Sequence, residues 1–371
     1  MNFIATCLFG LEKLVGSDIE KLGCERISTR DGRVEFTGPE SAGARSNVNF
    51  RYAERVMIKV GEFKAESFDS LFEGTKSLPW EDYILKADSF PVKGHSVKSK
   101  LFSVPDCQSI IKKAVCDRLG AAYGLKTLPE TGQKKQIVFF IMEDLACLML
   151  DTTGEGLRKR GYRPVVSAAP IRETLAAAMV SLSRPRQGVM TVDPMCGSGT
   201  IPIEGALLAS NTPPGAKRSF AGEENGLIPK QYFTLAREEG LSAVTPPQME
   251  IFGFDIDGAA IDSARENAGR AGVGGWIKFE TRDAAKFTPP NTGRGTIVTN
   301  PPYGERMMDK ASVAKLEEAI GKAFMSSVPD WHMYFLSSDE SFERNFGRRA
   351  NKKRILYNGP IKCFFYQYFK R

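Results

Sequence analysis

Histidine is almost absent from this chain: only His95 and His332 occur in 371 residues. That excludes a histidine-rich metal site and argues against a histidine-based catalytic triad. The seven cysteines are scattered and odd in number, and no Cys-x-x-Cys spacing occurs among them. Thiols held in cores, in a reduced cytoplasm, fit that usage best. No apolar run reaches the roughly 18 residues that a membrane span needs. The opening Met1–Gly10 is apolar but lacks a basic n-region and turns charged at Glu12-Lys13. It reads as a first strand rather than a signal segment.

What is present is an ordinary soluble composition, with 42% hydrophobic and 26% charged residues. The length predicts two or three domains. A net charge of +7 agrees with a polyanionic partner without demanding one. Its clustering says more. Lys93, Lys98 and Lys100 lie close together, Lys112-Lys113 and Lys134-Lys135 follow, and Arg158-Lys159-Arg160 with Arg163 comes next. Each run alone reads as readily as a solvated face. Several in one half of the chain point to a nucleic-acid surface.

Residues 1–60 combine short apolar strands with a helical stretch carrying Leu11, Leu14, Ile19 and Leu22, the pattern of a small α+β unit. Residues 61–155 form a second unit. In it Pro105 suits a first helical turn, and Ile111, Ala114, Val115 and Leu119 make one apolar face, leaving Lys112 and Lys113 toward solvent. Two further strands meet in a hairpin around Glu143-Asp144. Residues 156–170 are basic and contain glycine and proline, which predicts a connector that serves as the hinge. From residue 171 onward strands alternate with helices, which predicts a parallel sheet. Its strands are expected at 189–193, 251–255, 276–281, 296–299 and 333–336, with an insertion between 213 and 247 and a closing hairpin at Asn358-Gly359.

Two loops carry the chemistry. Asp193-Pro-Met-Cys196-Gly197-Ser-Gly199-Thr200 follows the first strand of that sheet. Its glycines let backbone approach a ligand closely. The spacing is neither Gly-x-Gly-x-x-Gly nor a Walker loop, so a pyrophosphate has no obvious seat. An acidic residue ahead of the glycines would repel phosphate but suits a cation, and S-adenosylmethionine carries a sulfonium and an ammonium. Asp193 is the expected acceptor for its amino-acid end. Asp255, ending the next strand, is the expected ribose ligand, and Ile256 the residue to pack on adenine. Asp257 reads as a helix cap. Asp283, with Ala284 beside it, is expected at the adenine amino group, with a helix cap as the alternative.

The second loop, Asn300-Pro301-Pro302-Tyr303-Gly304, stops the apolar run Ile297-Val298 at the carboxyl end of a strand, where open α/β sheets bind ligands. Asn300 Oδ1 and the Pro301 carbonyl can accept the two hydrogens of a planar amino group. Pro302 helps to stiffen the turn, and Tyr303 can stack on the ring that bears the amine. Such an amine is a weak nucleophile because its lone pair is delocalised. Two acceptors draw it toward tetrahedral form and aim the lone pair at a methyl donor. Adenine N6, guanine N2 and protein glutamine N5 all present such a group, and the basic first half favours nucleic acid. Arg306 is a candidate to hold a flanking phosphate, though an ordinary surface arginine is the readier reading of it.

These strings resemble class I, Rossmann-fold, S-adenosylmethionine-dependent methyltransferases that act on amino groups. Asp193–Glu204 and Thr299–Arg306 are similar to the subgroup with an N-terminal THUMP RNA-binding domain. That subgroup comprises bacterial large-subunit rRNA guanine-N2 methyltransferases and their tRNA relatives. Leu157–Arg163 and Ala169–Ala177 are similar to its connector and leading helix, and Ser103-Val-Pro-Asp106 with Lys112-Lys113-Ala114 to the middle of a THUMP domain. The resemblance implies a ferredoxin-like module over 1–60 and THUMP over 61–155. Over 171–371 it implies a Rossmann-like, seven-stranded methyltransferase domain whose last hairpin strand is antiparallel. It also implies cofactor contacts from Glu173 and Thr174, an RNA partner (rRNA first), and no membrane or metal. The expected reaction is methylation of a guanine N2 in 23S rRNA. Guanine N2 in tRNA, adenine N6 in RNA or DNA, and a ribosome-assembly factor with a vestigial fold are the competing expectations.

Overall fold

The computed structural model describes residues 1–163, 171–302 and 309–369. Its first half is built on one sheet. The elements are β1 (Asn2–Cys7), α1 (Glu12–Lys21), β2 (Glu25–Arg30), β3 (Arg33–Thr37), α2 (Ser41–Asn49), β4 (Ala53–Lys64), α3 (Phe68–Lys76), β5 (Val92–Val97), α4 (Val104–Tyr123), β6 (Ile137–Met142) and β7 (Leu145–Asp151). The strands lie in the order β2-β3-β1-β4-β7-β6-β5, with only the β5–β6 pair parallel. The module boundary expected at residue 60 falls inside β4. β4 pairs with β1 over residues 53–58 and with β7 over residues 57–64, with a register shift between Lys59 and Gly61. Hydrogen bonding is therefore continuous across both units.

Alternation along the strands separates the two faces of this sheet. Phe3, Ala5, Val34, Phe36, Val56 and Ile58 belong to the large core. Their neighbours Ile4 and Met57 join Cys147 and Met149 in a small cluster of their own. Glu143 and Asp144 make the β6–β7 turn with φ of +52° and +64°, the left-handed pair that a two-residue hairpin favours. α4 takes Pro105 in its first turn, ends on Gly124 in the left-handed region, and buries Ile111, Ala114, Val115 and Leu119.

The second half continues with α5 (Glu173–Ser183), β8 (Met190–Asp193), α6 (Thr200–Ala209), α7 (Ala221–Glu224), α8 (Lys230–Ser242), β9 (Ile251–Asp255), α9 (Gly258–Ala271), β10 (Ile277–Thr281), β11 (Gly295–Thr299), α10 (Lys310–Ser327), β12 (His332–Ser337), α11 (Phe342–Phe346), β13 (Lys352–Asn358) and β14 (Ile361–Tyr368). The order is β10-β9-β8-β11-β12-β14-β13. β8 to β12 are mutually parallel, and β14 is antiparallel to both its neighbours. Chain order reverses between β8 and β11. A crevice therefore forms at their carboxyl ends, the switch point at which such sheets bind ligands. Asp193 and Asn300 stand at those two ends.

The insertion between 213 and 247 joins the halves. Its helix α8 packs on α2, and Gly215 donates its N–H to the Val48 carbonyl at 2.9 Å. A Cβ at Gly215 would lie 2.8 Å from Asn47 O and 2.9 Å from Val48 Cα. Gly215→Ala is expected to cost about 1–3 kcal/mol through overpacking against main chain. Urea unfolding should show it as an earlier midpoint; an unchanged midpoint would mean that the two backbones separate freely. No helix among the described residues is long and apolar enough to cross a membrane.

Candidate active site at the sheet switch point

β8 ends on Asp193, which is 2% exposed. Its Oδ1 accepts from Met195 N at 3.1 Å, so the loop fixes the carboxylate. Burial pushes its pKa up to about 7, and the negative charge of Asp255 adds to the rise. The two loop glycines serve different ends. Gly197 has φ +51°, and a Cβ there would meet nothing within 4 Å, so the loop is open on that side. Gly199 has φ +82°, and a Cβ there would lie 2.9 Å from Ala264 Cβ, which lets α6 start close against α9. Cys196 belongs to a core cluster with Ile203 and Ile261. Its thiol packs there and donates to the Gly197 carbonyl at 3.7 Å within the loop.

Asp255 closes the other wall. Its Oδ2 accepts from Gly197 N at 2.8 Å and its Oδ1 from Asp257 N at 3.0 Å. Each oxygen keeps acceptor capacity beyond those bonds. Ile256 beside it is 70% exposed. Asp257 caps α9 through Ala259 N at 2.9 Å. Asp283 caps the next short turn through Ala285 N at 2.9 Å, so the cap reading holds for it as well. A cavity of about 360 Å³ opens there, lined by Asp283, Ala284, Pro194, Phe254 and Phe287.

Asn300 follows β11 directly. Its Oδ1 is shielded from solvent and has no hydrogen-bond partner among the described residues. Glu173 Oε2 is in the same condition. A buried acceptor left unpaired costs about 1–3 kcal/mol, so each of these oxygens is suited to a donor brought by a ligand. Pro301 is buried and Pro302 half-buried. Tyr303 and Arg306 lie outside the described residues.

The basic connector differs from its expectation. Arg160 is 5% exposed and Glu204 is 1% exposed. They pair at 3.4 Å, and Tyr162 Oη donates to the same carboxylate at 3.1 Å. Arg160 also donates to the carbonyls of Arg51 at 2.5 Å and Leu157 at 2.9 Å. It is therefore withdrawn from the RNA surface and ties the first module to α6, while residues 164–170 of the expected hinge lie outside the described residues. Arg163 is likewise turned inward: it pairs with Glu173 at 2.7 Å and donates to Thr200 Oγ1 at 3.2 Å. Through Arg163, Glu173 is held beside the cofactor loop.

Thr174 lies in the first turn of α5. Its hydroxyl donates to Glu54 Oε1 at 2.5 Å, while Arg172 reaches Glu54 Oε2 at 3.1 Å. Thr174 thus fastens the start of α5 to β4. Arg158 approaches the same carboxylate at 4.0 Å. Among the other expected RNA contacts, Lys112 pairs with Glu130 at 2.6 Å and lies 3.5 Å from the Phe90 ring centre. Lys100 pairs with Glu66 at 2.5 Å. Lys93, Lys98 and Lys113 are exposed. Glu54 and Glu204 were not singled out by sequence. Glu204 has a readable signal, a lone carboxylate in an otherwise apolar helix; Glu54 has none.

Residues 160–367 match the family model described as RMKL-like, methyltransferase domain. Residues 2–57 match the RlmL ferredoxin-like domain, and residues 65–151 match the THUMP domain. YpsC of Bacillus subtilis (strain 168), whose name as an RNA methyltransferase is provisional, is 42% identical over 100% of this chain and 96% of its own length. The ribosomal RNA large subunit methyltransferase K/L of Psychromonas ingrahamii is 32% identical over 97% of this chain, which spans 49% of that longer protein. SMU.472, solved in complex with S-adenosylhomocysteine, superposes with a TM-score of 0.91 at 39% identity, over 100% of this chain and 98% of that one. Fold and switch-point site together define a class I methyltransferase, with S-adenosylmethionine as methyl donor. Within that class the chain belongs to the RMKL-like methyltransferase family, with ferredoxin-like and THUMP modules ahead of the catalytic domain.

Proposed function

We propose that this protein methylates the exocyclic N2 of a guanine in 23S rRNA. The observation that carries the reading is the shielded, unpaired Oδ1 of Asn300, one strand away from the cofactor loop. The described residues fit the donor: the open side of Gly197, the unpaired Glu173 Oε2 and the buried Asp193 provide space and acceptors for a phosphate-free, cationic ligand. S-adenosylmethionine supplies an electrophilic methyl on sulfur. Asp193 and Glu173 would hold its amino-acid end, Asp255 its ribose, Ile256 and Ala284 its adenine, with Asp283 at the adenine amino group. Asn300 Oδ1 and the Pro301 carbonyl then accept the two hydrogens of the guanine amine and turn its lone pair outward. Tyr303 stacks on the base, which must leave its helix to enter. No strong base is needed before transfer, because the product sheds its proton afterwards.

The THUMP module and the names of the relatives support RNA, and the K/L relative supports large-subunit rRNA. Incubation with labelled S-adenosylmethionine and undermethylated 23S rRNA, tRNA or duplex DNA tests the acceptor. Label is expected in 23S rRNA; label confined to tRNA or to DNA would overturn the substrate assignment.

Asp193 makes donor binding depend on pH. With its pKa raised to about 7, the carboxyl is protonated in acid and ionised above that value. A cationic ligand favours the ionised form. Affinity for S-adenosylmethionine should therefore rise with pH, by at most about tenfold per unit, and level off above about pH 7. Calorimetry in two buffers of different ionisation enthalpy should reveal proton release at about pH 6. Affinity that is flat across the acid range would contradict the placement of Asp193.

A further inference from the structure

Between α1 and α2 of the first module and α6 and α8 of the second half lies a cavity of about 460 Å³ that methyl transfer does not use. Such a volume is within the range of small-molecule sites. Arg51 stands in its wall and is only 8% exposed. The residue forms no ion pair among the described residues, and its Nη1 is shielded with no hydrogen-bond partner among them. Its main chain, by contrast, is held on both sides. The N–H donates to Asp18 Oδ2 at 2.9 Å, and the carbonyl accepts from Arg160 at 2.5 Å. Burial pulls the pKa of Arg51 down, and Asp18 acts against that from beyond ion-pair distance. A guanidinium nevertheless keeps its charge at neutral pH. A charge buried without a partner is costly, so an anion that meets Arg51 from the cavity satisfies what the protein leaves unmet.

The other charges leave a surplus at the same wall. Arg45 and Glu239 lie 3.7 Å apart and offset one another. Lys21 lines the cavity and forms no ion pair among the described residues. Asp18 is the remaining acid, and one of its oxygens already accepts from the Arg51 main chain. Two cations, Lys21 and Arg51, thus face one carboxylate. Asn49 and Asn211 donate their amides to main chain, to the Arg45 carbonyl at 2.9 Å and the Ala243 carbonyl at 3.4 Å. Their side-chain oxygens are acceptors suited to hydroxyl groups.

We propose that this cavity binds a small phosphate monoester, with the phosphoryl group on Arg51 and Lys21 and sugar-like hydroxyls on Asn49 and Asn211. A dianion matches two cations, and its oxygens can take several charge-assisted bonds at once. A carboxylate or an RNA phosphodiester brings a single charge. S-adenosylmethionine and metal ions are cationic, and Arg51 repels them. The inference does not depend on which nucleoside is methylated.

Thermal unfolding of the full chain in about 10 mM inorganic phosphate or ribose 5-phosphate, against sodium chloride of equal ionic strength, tests this. Each should raise the midpoint by about 2 °C or more, and ribose alone should leave it unchanged. Lys21→Ala removes an exposed side chain and should lose most of the rise. Titration calorimetry should find phosphate bound about tenfold more weakly by that variant. Arg51→Met keeps the apolar stem without the charge and should abolish the response. Without ligand it should be as stable as wild type or more so, because no unmatched charge remains buried. A lower midpoint for ligand-free Arg51→Met would overturn the claim that Arg51 lacks a partner. No rise in wild type, or an equal rise in wild type and both variants, would be general salting by phosphate and would overturn the site. Weakened binding of 23S rRNA by Lys21→Ala, without any change in its phosphate response, would give the cavity to the RNA backbone and overturn the small-ligand assignment.

Discussion

Asn300→Ala should lower methyl transfer by about 10²–10³-fold, the loss typical of removing one preorganised polar contact to the reacting group. The side chain follows β11 with its Oδ1 shielded and unpaired, so its removal leaves no partner stranded in the protein. Stability should therefore hold or improve slightly, and S-adenosylmethionine should bind as before. Asn300→Asp keeps an acceptor oxygen in place and should lose far less than the alanine variant. Single-turnover kinetics with saturating donor and RNA would isolate the effect. Turnover within about threefold of wild type in Asn300→Ala would remove the residue from the reaction. A parallel collapse of donor affinity would reassign it to the cofactor.

Folding, by contrast, should suffer most from Arg160→Ala. The guanidinium is buried against Glu204 and donates to carbonyls of both the first module and the connector. Breaking a buried pair from one side leaves an uncompensated charge, at a cost of about 3–5 kcal/mol. Burial already pushes the Glu204 pKa up, against the pull of Arg160. Without Arg160 the carboxyl must take a proton or unfold the site. A raised carboxyl pKa means that the folded state binds the proton better than the unfolded state does. The defect should accordingly grow as pH rises above the ordinary glutamate range and shrink in acid. Arg160→Met with Glu204→Gln should recover a large part of the loss, since neither charge is then buried alone. Thermal unfolding of the three proteins at acid and neutral pH decides it; equal midpoints for wild type and Arg160→Ala would show that the pair is dispensable.

The catalytic sheet was legible because parallel strands buried on both faces are short apolar runs, and each ended on a chemically informative residue such as Asp193, Asp255 or Asn300. The hairpin at Glu143-Asp144 was legible from the apolar runs on either side of it; the closing hairpin expected at Asn358-Gly359 turns one residue later, at Gly359-Pro360, with Asn358 paired to Ile361 and Gly359 in the left-handed region. The connector was not. A run such as Arg158-Lys159-Arg160 looks solvated until its partners are known, and Glu204 stands 44 residues away along the chain. Residue 60 lies inside β4, where pairing with β1 has ended at Ile58 and pairing with β7 continues past a register shift, so a single strand serves both modules. The bond of Thr174 to Glu54 spans 120 residues and leaves no local trace. Periodicity reveals which side chains are buried; it does not reveal which distant polar group they meet.

The identity of the methylated nucleoside tests the central claim most directly. 23S rRNA from cells lacking this protein, incubated with it and methyl-labelled S-adenosylmethionine and then digested to nucleosides, should carry the label in N2-methylguanosine. Label in N6-methyladenosine would contradict the guanine assignment, and no label in any nucleoside would contradict catalysis on this RNA altogether.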